Sequence, residues 1–310
     1  MRIIKWLAAG LLLVVIAIIA FIQLAPEAAT QYAVNAERSR AGLTKHSVQL
    51  DNGLTYVYLE GGLGEPLLLL HGFNANKDNF TRIAGKLTSK YHVIIPDEIG
   101  FGESSHPTNV DYRSDAQAER LHDLMVKLNI KQVHIGGNSM GGAIAVAYAA
   151  RFSAEVESVW LLDPGGVSSA PPTAMFKDYH KTGNFPLIAH SAKDYETVYK
   201  LAMNKPPYVP KAMLHVLAKE SIANAELEEQ IIQQLIPDSI EERAKMVKAP
   251  TLIVWGDHDQ VLDVAGAEIL HKLIRNSQVI IMKDIGHLPM LEDVSQTAKD
   301  YLAFRASLNK

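Results

Sequence analysis

Apolar residues recur along this chain in two rhythms, and the switches between them mark out its elements. From Pro66 to Leu70, His92 to Pro96, Gln132 to Ile135, Val156 to Leu162, Pro250 to Gly256 and Gln278 to Met282 the sequence is a short, nearly continuous apolar run. Such runs are typical of strands buried on both faces of a sheet. Between them lie stretches of helical spacing. Asp111 to Asn129 brings Ala118, Leu121, Leu124, Met125 and Leu128 to one face, Ala143 to Ala150 is a run of strong helix formers, and helices are expected from Lys77 to Leu87 and from Asp263 to Arg275. Upstream, the alternating segments His46 to Leu50 and Leu54 to Glu60 flank Asp51-Asn52-Gly53, a hairpin signal. Strands alternating with helices predict an α/β class chain with a doubly wound, mostly parallel sheet, whose site lies at the carboxyl ends of the strands.

Two stretches break that alternation. Trp6 to Ala25 carries no charge, and at about 1.5 Å per residue such a run spans the roughly 30 Å hydrocarbon core of a bilayer. It predicts an N-terminal transmembrane helix (residues 1–25) followed by a polar, alanine-rich linker or short helix (26–45). Arg2 and Lys5 precede the run, so the N-terminus stays cytoplasmic and the body crosses to the outer or periplasmic side. A cleaved export signal, giving a secreted or periplasmic protein, is the alternative, although no A-x-A pair occurs in the first 40 residues. The second break runs over residues 167–241, rich in Pro, Met, Tyr and Leu, with a helical pattern from Ala225 to Leu235 and no buried strand. It reads as a cap inserted into a core formed by 46–166 and 242–310. Met175, Phe176, Phe185, Tyr195, Tyr199, Met203, Tyr208 and Met213 are expected to pack the cap's own core and together to offer an apolar wall to a substrate channel.

With 310 residues, 48% hydrophobic and 21% charged, the chain can bury one large core. A net charge of -4 gives no electrostatic footprint for nucleic acid. Cysteine is absent, which removes disulfides, thiolate metal sites and a cysteine nucleophile together.

The chemistry centres on Gly137-Asn138-Ser139-Met140-Gly141-Gly142, between the strand ending near Ile135 and the helix beginning near Ala143. A serine forced into a strained corner between strand and helix leaves no room for side chains two positions to either side, and Gly137 and Gly141 occupy both places. Ser139 is therefore the expected nucleophile. One oxyanion donor comes from the residue after it, Met140, and a second from the loop after the Pro66 to Leu70 strand, Phe73. His71 in that loop is expected to make structural hydrogen bonds, and Asp97 to shape the next loop through backbone amides.

Downstream, Asp257-His258-Asp259 follows one strand and Gly286-His287 follows the last. Serine, acid, histidine is the chain order of this site type, so His287 is the expected base, while His258 lies among acids and is solvated. For the acid we choose Asp259. Asp263 suits a helix N-cap, Asp257 orders the loop, and Asp163, which ends the earlier strand, is the alternative position. The site needs no cofactor or metal, and none is expected.

His71-Gly72-Phe73, Asp97 with Gly100-Phe101-Gly102, Gly137 to Gly142, Trp255-Gly256 with Asp259 to Asp263, and Gly286-His287 together resemble the α/β-hydrolase superfamily over nearly the whole body. The Trp255 to Ala267 segment and the N-terminal anchor look like the membrane-anchored monoacylglycerol lipases and related bacterial lipases. The resemblance implies a serine esterase acting on monoacylglycerols or similar acyl esters, with Ser139, Asp259 and His287 in the family's catalytic positions and small amphiphilic acyl esters and the lipid bilayer as partners. Carbon-carbon bond hydrolases of ring-cleavage products share Gly137 to Gly142 and Pro164-Gly165-Gly166. Their pattern also has a glycine-rich run after the first histidine-glycine, a tryptophan after the catalytic histidine and a cap arginine; this chain has Phe73-Asn74, Leu288 and no arginine between Arg151 and Arg243. A non-catalytic binding protein on the same fold would have lost triad residues, and here all three stand.

Overall fold

The computed structural model describes residues 2–308, with the side chains of 2–5, 8 and 9 outside that description. The Arg2 and Lys5 side chains, on which the expected membrane orientation rests, are among those left out.

Eight strands form one sheet in the order β1-β2-β4-β3-β5-β6-β7-β8. Helices α1 (Arg2–Leu24) and α2 (Pro26–Arg40) come first, then the hairpin β1 (Leu43–Gln49) and β2 (Thr55–Gly61). β1 pairs β2 and β2 pairs β4 antiparallel, and every later pairing is parallel. β3 (Glu65–Leu70) leads into a 3-10 turn (Lys77–Phe80) and the one-turn helix α3 (Thr81–Ala84) before β4 (Tyr91–Pro96). The helix expected from Lys77 to Leu87 is thus broken. Asn76 accepts from the Asp78 N–H, and Lys77 is drawn inward so that its backbone N–H (2.8 Å) and Nζ (2.6 Å) both reach Asp97.

Next come α4 (Ser114–Lys127), β5 (Val133–Asn138), α5 (Met140–Arg151) and β6 (Val156–Leu162). Ala118, Leu121, Leu124 and Met125 of α4 are buried, as their spacing requires. Between β6 and β7 the chain is helical among the described residues: α6 (Ala174–Thr182), α7 (Ala192–Ala202), α8 (Lys211–Leu235) and α9 (Glu241–Ala244). β7 (Thr251–Gly256), α10 (Ala265–Leu273), β8 (Ser277–Met282), α11 (Pro289–Glu292) and α12 (Val294–Leu308) complete the chain.

Side chains alternate across each strand, so the sheet buries two cores. One lies against α4, α5 and α10 and contains Tyr148, Ile144 and Trp255; the other lies against α3 and α12, where Trp160 stacks on Tyr301 at 4.3 Å. The result is a three-layer α/β/α body.

The stretch expected as a linker or short helix is α2. Pro26 at its first position, Glu27 in its first turn and Arg38 and Arg40 in its last suit a helix and its dipole. Ala29 and Thr30 are buried, and Arg38–Asp78, Arg82–Glu37 and Lys219–Glu27 ion pairs tie the helix to the body. Among the described residues α1 exposes most of its apolar side chains, Trp6 at 78% and Leu24 at 84%. Among the described residues no single helix is long and apolar enough to cross a membrane. Gly10–Leu24 and Pro26–Arg40 meet that test only as a pair bent by 112°; Ala25, at φ -138° and ψ 59° ahead of Pro26, makes the bend.

Candidate active site

The corner between β5 and α5 is fixed by backbone packing. Ser139 has φ 54° and ψ -118°, a conformation that costs of order 1–3 kcal/mol and persists only where the surroundings enforce it. They do so here through Ser139 N–H donating to Leu162 O (3.0 Å) and Ser139 O accepting from Gly165 N (2.8 Å) and Ala143 N (3.1 Å). A Cβ on Gly137 would lie 2.2 Å from Gly141 O, and one on Gly141 would lie 2.2 Å from Leu70 O. Both glycines are sterically required, as the spacing predicts.

The loop after β3 runs alongside. A Cβ on Gly72 would lie 3.2 Å from Ser139 Cβ, which brings Phe73 beside the serine. Among the described residues neither the Phe73 nor the Met140 N–H donates to a protein acceptor. His71 makes the structural bonds expected of it, Nδ1 to Gly72 O (2.8 Å) and Nε2 from Glu98 N (2.9 Å); the tautomer is assigned from that network. Burial holds its imidazole below the ordinary histidine range. Asp97 accepts from the Lys77 and Glu103 amides and pairs with buried Lys77.

At the far side of the site His287 Nδ1 and Asp259 Oδ2 are 2.8 Å apart, with side-chain exposures of 5% and 0%. Asp259 Oδ1 accepts from the Val261 (2.7 Å) and Leu262 (3.0 Å) amides. The competing acids are occupied elsewhere. Asp257 accepts from Asp284 N and meets His258, whose imidazole that carboxylate raises above its usual range in an exposed position. Asp263 accepts from Ala265 N at the start of α10.

Two residues of the site were not singled out by sequence. Asn138, beside the serine, donates from Nδ2 to His287 O (2.9 Å) and Leu162 O (3.0 Å), tying the histidine loop to the serine corner. Glu292 Oε1 accepts from Gly286 N at 3.0 Å and holds that loop from α11. An asparagine at the second position of the glycine-serine motif is the only sequence signal for the first, and none marks the second. Asp163 directly follows β6, fully buried, with Oδ1 accepting from Gly256 N (2.9 Å). Among the described residues one set of side chains is close enough to hold a metal ion, Asp163, Asp259 and His287, with ligand atoms within 4.8 Å of one another. Asp259 and His287 already bond each other there.

Of the aromatic and methionine residues expected in the cap, Met175, Phe176 and Phe185 pack with Ile188, Ile232 and Val261 against Phe73. Phe185 meets Phe73 edge-on at 5.9 Å. Tyr208, by contrast, is 89% exposed and outside the cap's packed layer. An open groove of about 1050 Å³ borders this layer, with Phe185, Pro186, Ile188 and Ile232 in its wall.

Residues 65–294 match the α/β hydrolase fold family. The chain is 48% identical over 287 residues to Lipase 3 of Moraxella sp. (strain TA144), covering 91% of this chain and 90% of that one. It is 31% identical over 255 residues to the monoacylglycerol lipase ABHD6 of Rattus norvegicus, covering 78% and 76%. Among solved structures it is similar to a membrane phospholipase A described as a bacterial virulence factor, with a TM-score of 0.89, 36% identity and 99% of each chain covered.

Proposed function

Because the chain belongs to the α/β-hydrolase fold family, we propose that it is a serine carboxylester hydrolase, a lipase or esterase cleaving acyl esters such as monoacylglycerols, with Ser139, Asp259 and His287 as its triad. The observation that carries this reading is the buried 2.8 Å bond between His287 and Asp259, reached in the chain order that Ser139 begins. Lipases among the similar relatives support the ester class.

In the reaction Ser139 Oγ attacks the acyl carbonyl while His287 Nε2 takes its proton, Nδ1 being engaged by Asp259. The carbonyl oxygen becomes an oxyanion, for which the Phe73 and Met140 N–H groups are the available donors. The imidazolium then gives its proton to the departing alcohol, leaving an acyl group on Ser139. Water, deprotonated by His287, attacks that acyl group, and collapse of the second tetrahedral intermediate releases the carboxylic acid and returns the proton to Ser139.

The helical segment of residues 167–241 acts as a cap. Phe185 is shared between the groove and the contact with Phe73, so an acyl chain lying in the groove passes Phe185 to bring its carbonyl to Ser139. The exposed apolar surface of α1 supports its role as a membrane anchor, with the catalytic body on the outer or periplasmic side. A monoacylglycerol partitions into the bilayer, each buried methylene being worth about 0.8 kcal/mol, so an anchored enzyme meets it at the surface.

A hydrolysis panel tests the reading. Monoacylglycerols and short nitrophenyl esters are expected to turn over, triacylglycerols more slowly, and a ring-cleavage dienoate not at all; Ser139→Ala is expected to lower turnover by about 10⁴ or more. Efficient cleavage of the dienoate with no esterase activity would replace the reading with a carbon-carbon bond hydrolase.

A further inference from the structure

β6 and β7 are neighbours in the sheet, with Leu162 opposite Val254, so the residues that follow them meet. One is Asp163, the other the loop carrying Asp259. Asp259 has three donors: the Val261 and Leu262 amides and His287. Asp163 has one, the Gly256 amide on Oδ1, and its Oδ2 is buried with no donor among the described residues. The two carboxyls and the imidazole offer atoms within 4.8 Å of one another.

Two carboxylates are both acceptors and repel; buried side by side, they bond only if one carries a proton. We propose that Asp163 is a positioning residue that holds that proton and donates it, from Oδ2, to the carboxylate of Asp259 that orients His287. Three donors converge on Asp259 and one on Asp163, so the proton of the pair sits on Asp163. Burial, and then the charge of Asp259, push the Asp163 carboxyl well above the ordinary range, and the opposing Gly256 amide does not offset them. Of the other titratable groups facing it, Glu292 on α11 is negative too and reinforces the neutral form, whereas the His287 imidazole opposes it only when protonated. A fourth donor on Asp259 restrains its plane and draws density from the oxygens that hold the imidazolium, so the hold of Asp259 on His287 is tempered as well as aimed.

The inference rests on the triad proposed above, and the test keeps the two apart. In Asp163→Asn the amide still accepts from Gly256 and its Nδ2–H replaces the carboxyl donor. The residue sits at φ 45°, which asparagine tolerates. Its turnover and pH profile are expected within about twofold of the parent. Asp163→Ala removes the donor, and Asp163→Gly does so without strain at positive φ. Either is expected to lower kcat about tenfold and to move the acid limb of kcat/KM to higher pH by roughly half to one unit, because an untempered Asp259 holds the imidazolium more tightly.

Loss of activity in Asp163→Asn as severe as in Asp259→Asn would overturn the inference, since a charged Asp163 would then be required. An unshifted profile in both donorless variants would overturn it as well. Near-parental turnover in Asp259→Asn, measured alongside, would instead remove the triad assignment beneath it; a crippled Asp259→Asn with unaltered Asp163→Gly removes this inference alone.

Discussion

The loops at the strand ends and the helices that lie over them are built by different means. At the corner of Ser139 the geometry is imposed by backbone: Gly137 and Gly141 each have a carbonyl 2.2 Å from where a Cβ would stand, and Ser139 is bonded at both its N–H and its C=O. In the helical segment between β6 and β7 the contacts are side chain on side chain, as in the layer of Met175, Phe185, Leu187 and Ile232. Such packing tolerates exchange of one apolar residue for another, whereas a backbone corner does not. On the function proposed above, the chemistry belongs to the rigid part and substrate choice to the adaptable one.

If that division holds, the largest effects belong to the strand ends. Asp259→Asn is expected to cost about 10⁴ in turnover, while Asp257→Asn and Asp263→Asn, which lose only loop and helix-cap bonds, keep most activity; steady-state kinetics on a short ester reads all three.

A smaller and more selective effect is expected from α1. A chain beginning at Glu27 should hydrolyse a water-soluble ester at the parental rate but bilayer-embedded monoacylglycerol about tenfold more slowly, as expected when an apolar anchor is lost. The full chain should stay with membranes through a carbonate wash, because apolar burial is not screened by salt. Recovery of a mature protein from the soluble fraction with its N-terminus beyond residue 25 would show a cleaved signal instead.

Within the cap, Phe185→Ala opens the wall shared by the groove and Phe73. Short-ester turnover is expected to change little and preference among acyl-chain lengths by about fivefold to tenfold, the lower end of the roughly 1–3 kcal/mol that a methylene is worth in an apolar pocket, because this groove is open. A general loss on all esters would mean that Phe185 supports the oxyanion loop more than the substrate.

Stability, not turnover, gives a last comparison of the two regions. Glu98, in the loop after β4, and Glu228, on α8, are buried carboxyls pushed up to about 8, by burial first and then by Asp97 and Glu220 respectively. The folded chain retains protons that the unfolded chain releases near the ordinary carboxylate range. Their contribution is therefore fully present below that range and is lost as pH rises to about 8, at a limiting slope of about 1.4 kcal/mol per unit for each group. Denaturant unfolding between pH 5 and 8 is expected to show falling stability, and Glu98→Gln and Glu228→Gln each to flatten part of that fall.

How much of this was legible in sequence follows the same division. The strands after the hairpin could be read from apolar runs, which from β3 to β7 are largely buried on both faces; the edge strand β8 carries the same kind of run without that burial, Ile281 being 47% exposed, and β6 lies over Val156 to Leu162 as expected. The corner could be read because its glycines have a steric cause. The upstream half of α8 escapes the sequence reading because its buried stripe there, Leu214, Ala218 and Ser221, is mostly small or polar, while Met213, Val216 and the exposed Leu217 spread apolar residues around the helix. The stretch from Lys77 to Leu87 reads as one helix in sequence and is instead a 3-10 turn and one α turn, because Asp97, the buried partner that draws Lys77 inward, is twenty residues away. The meeting of Asp163 with Asp259, and of Asn138 with the His287 carbonyl, depends on which strands lie side by side, and no local pattern carries that.

The most direct measurement is peptide mass spectrometry of the full chain after reaction with a fluorophosphonate. A single adduct on the peptide bearing Ser139, absent from Ser139→Ala and strongly slowed in His287→Ala, is the result expected of a nucleophile activated by that histidine. An adduct on another serine, or undiminished labelling of Ser139→Ala, would contradict the account.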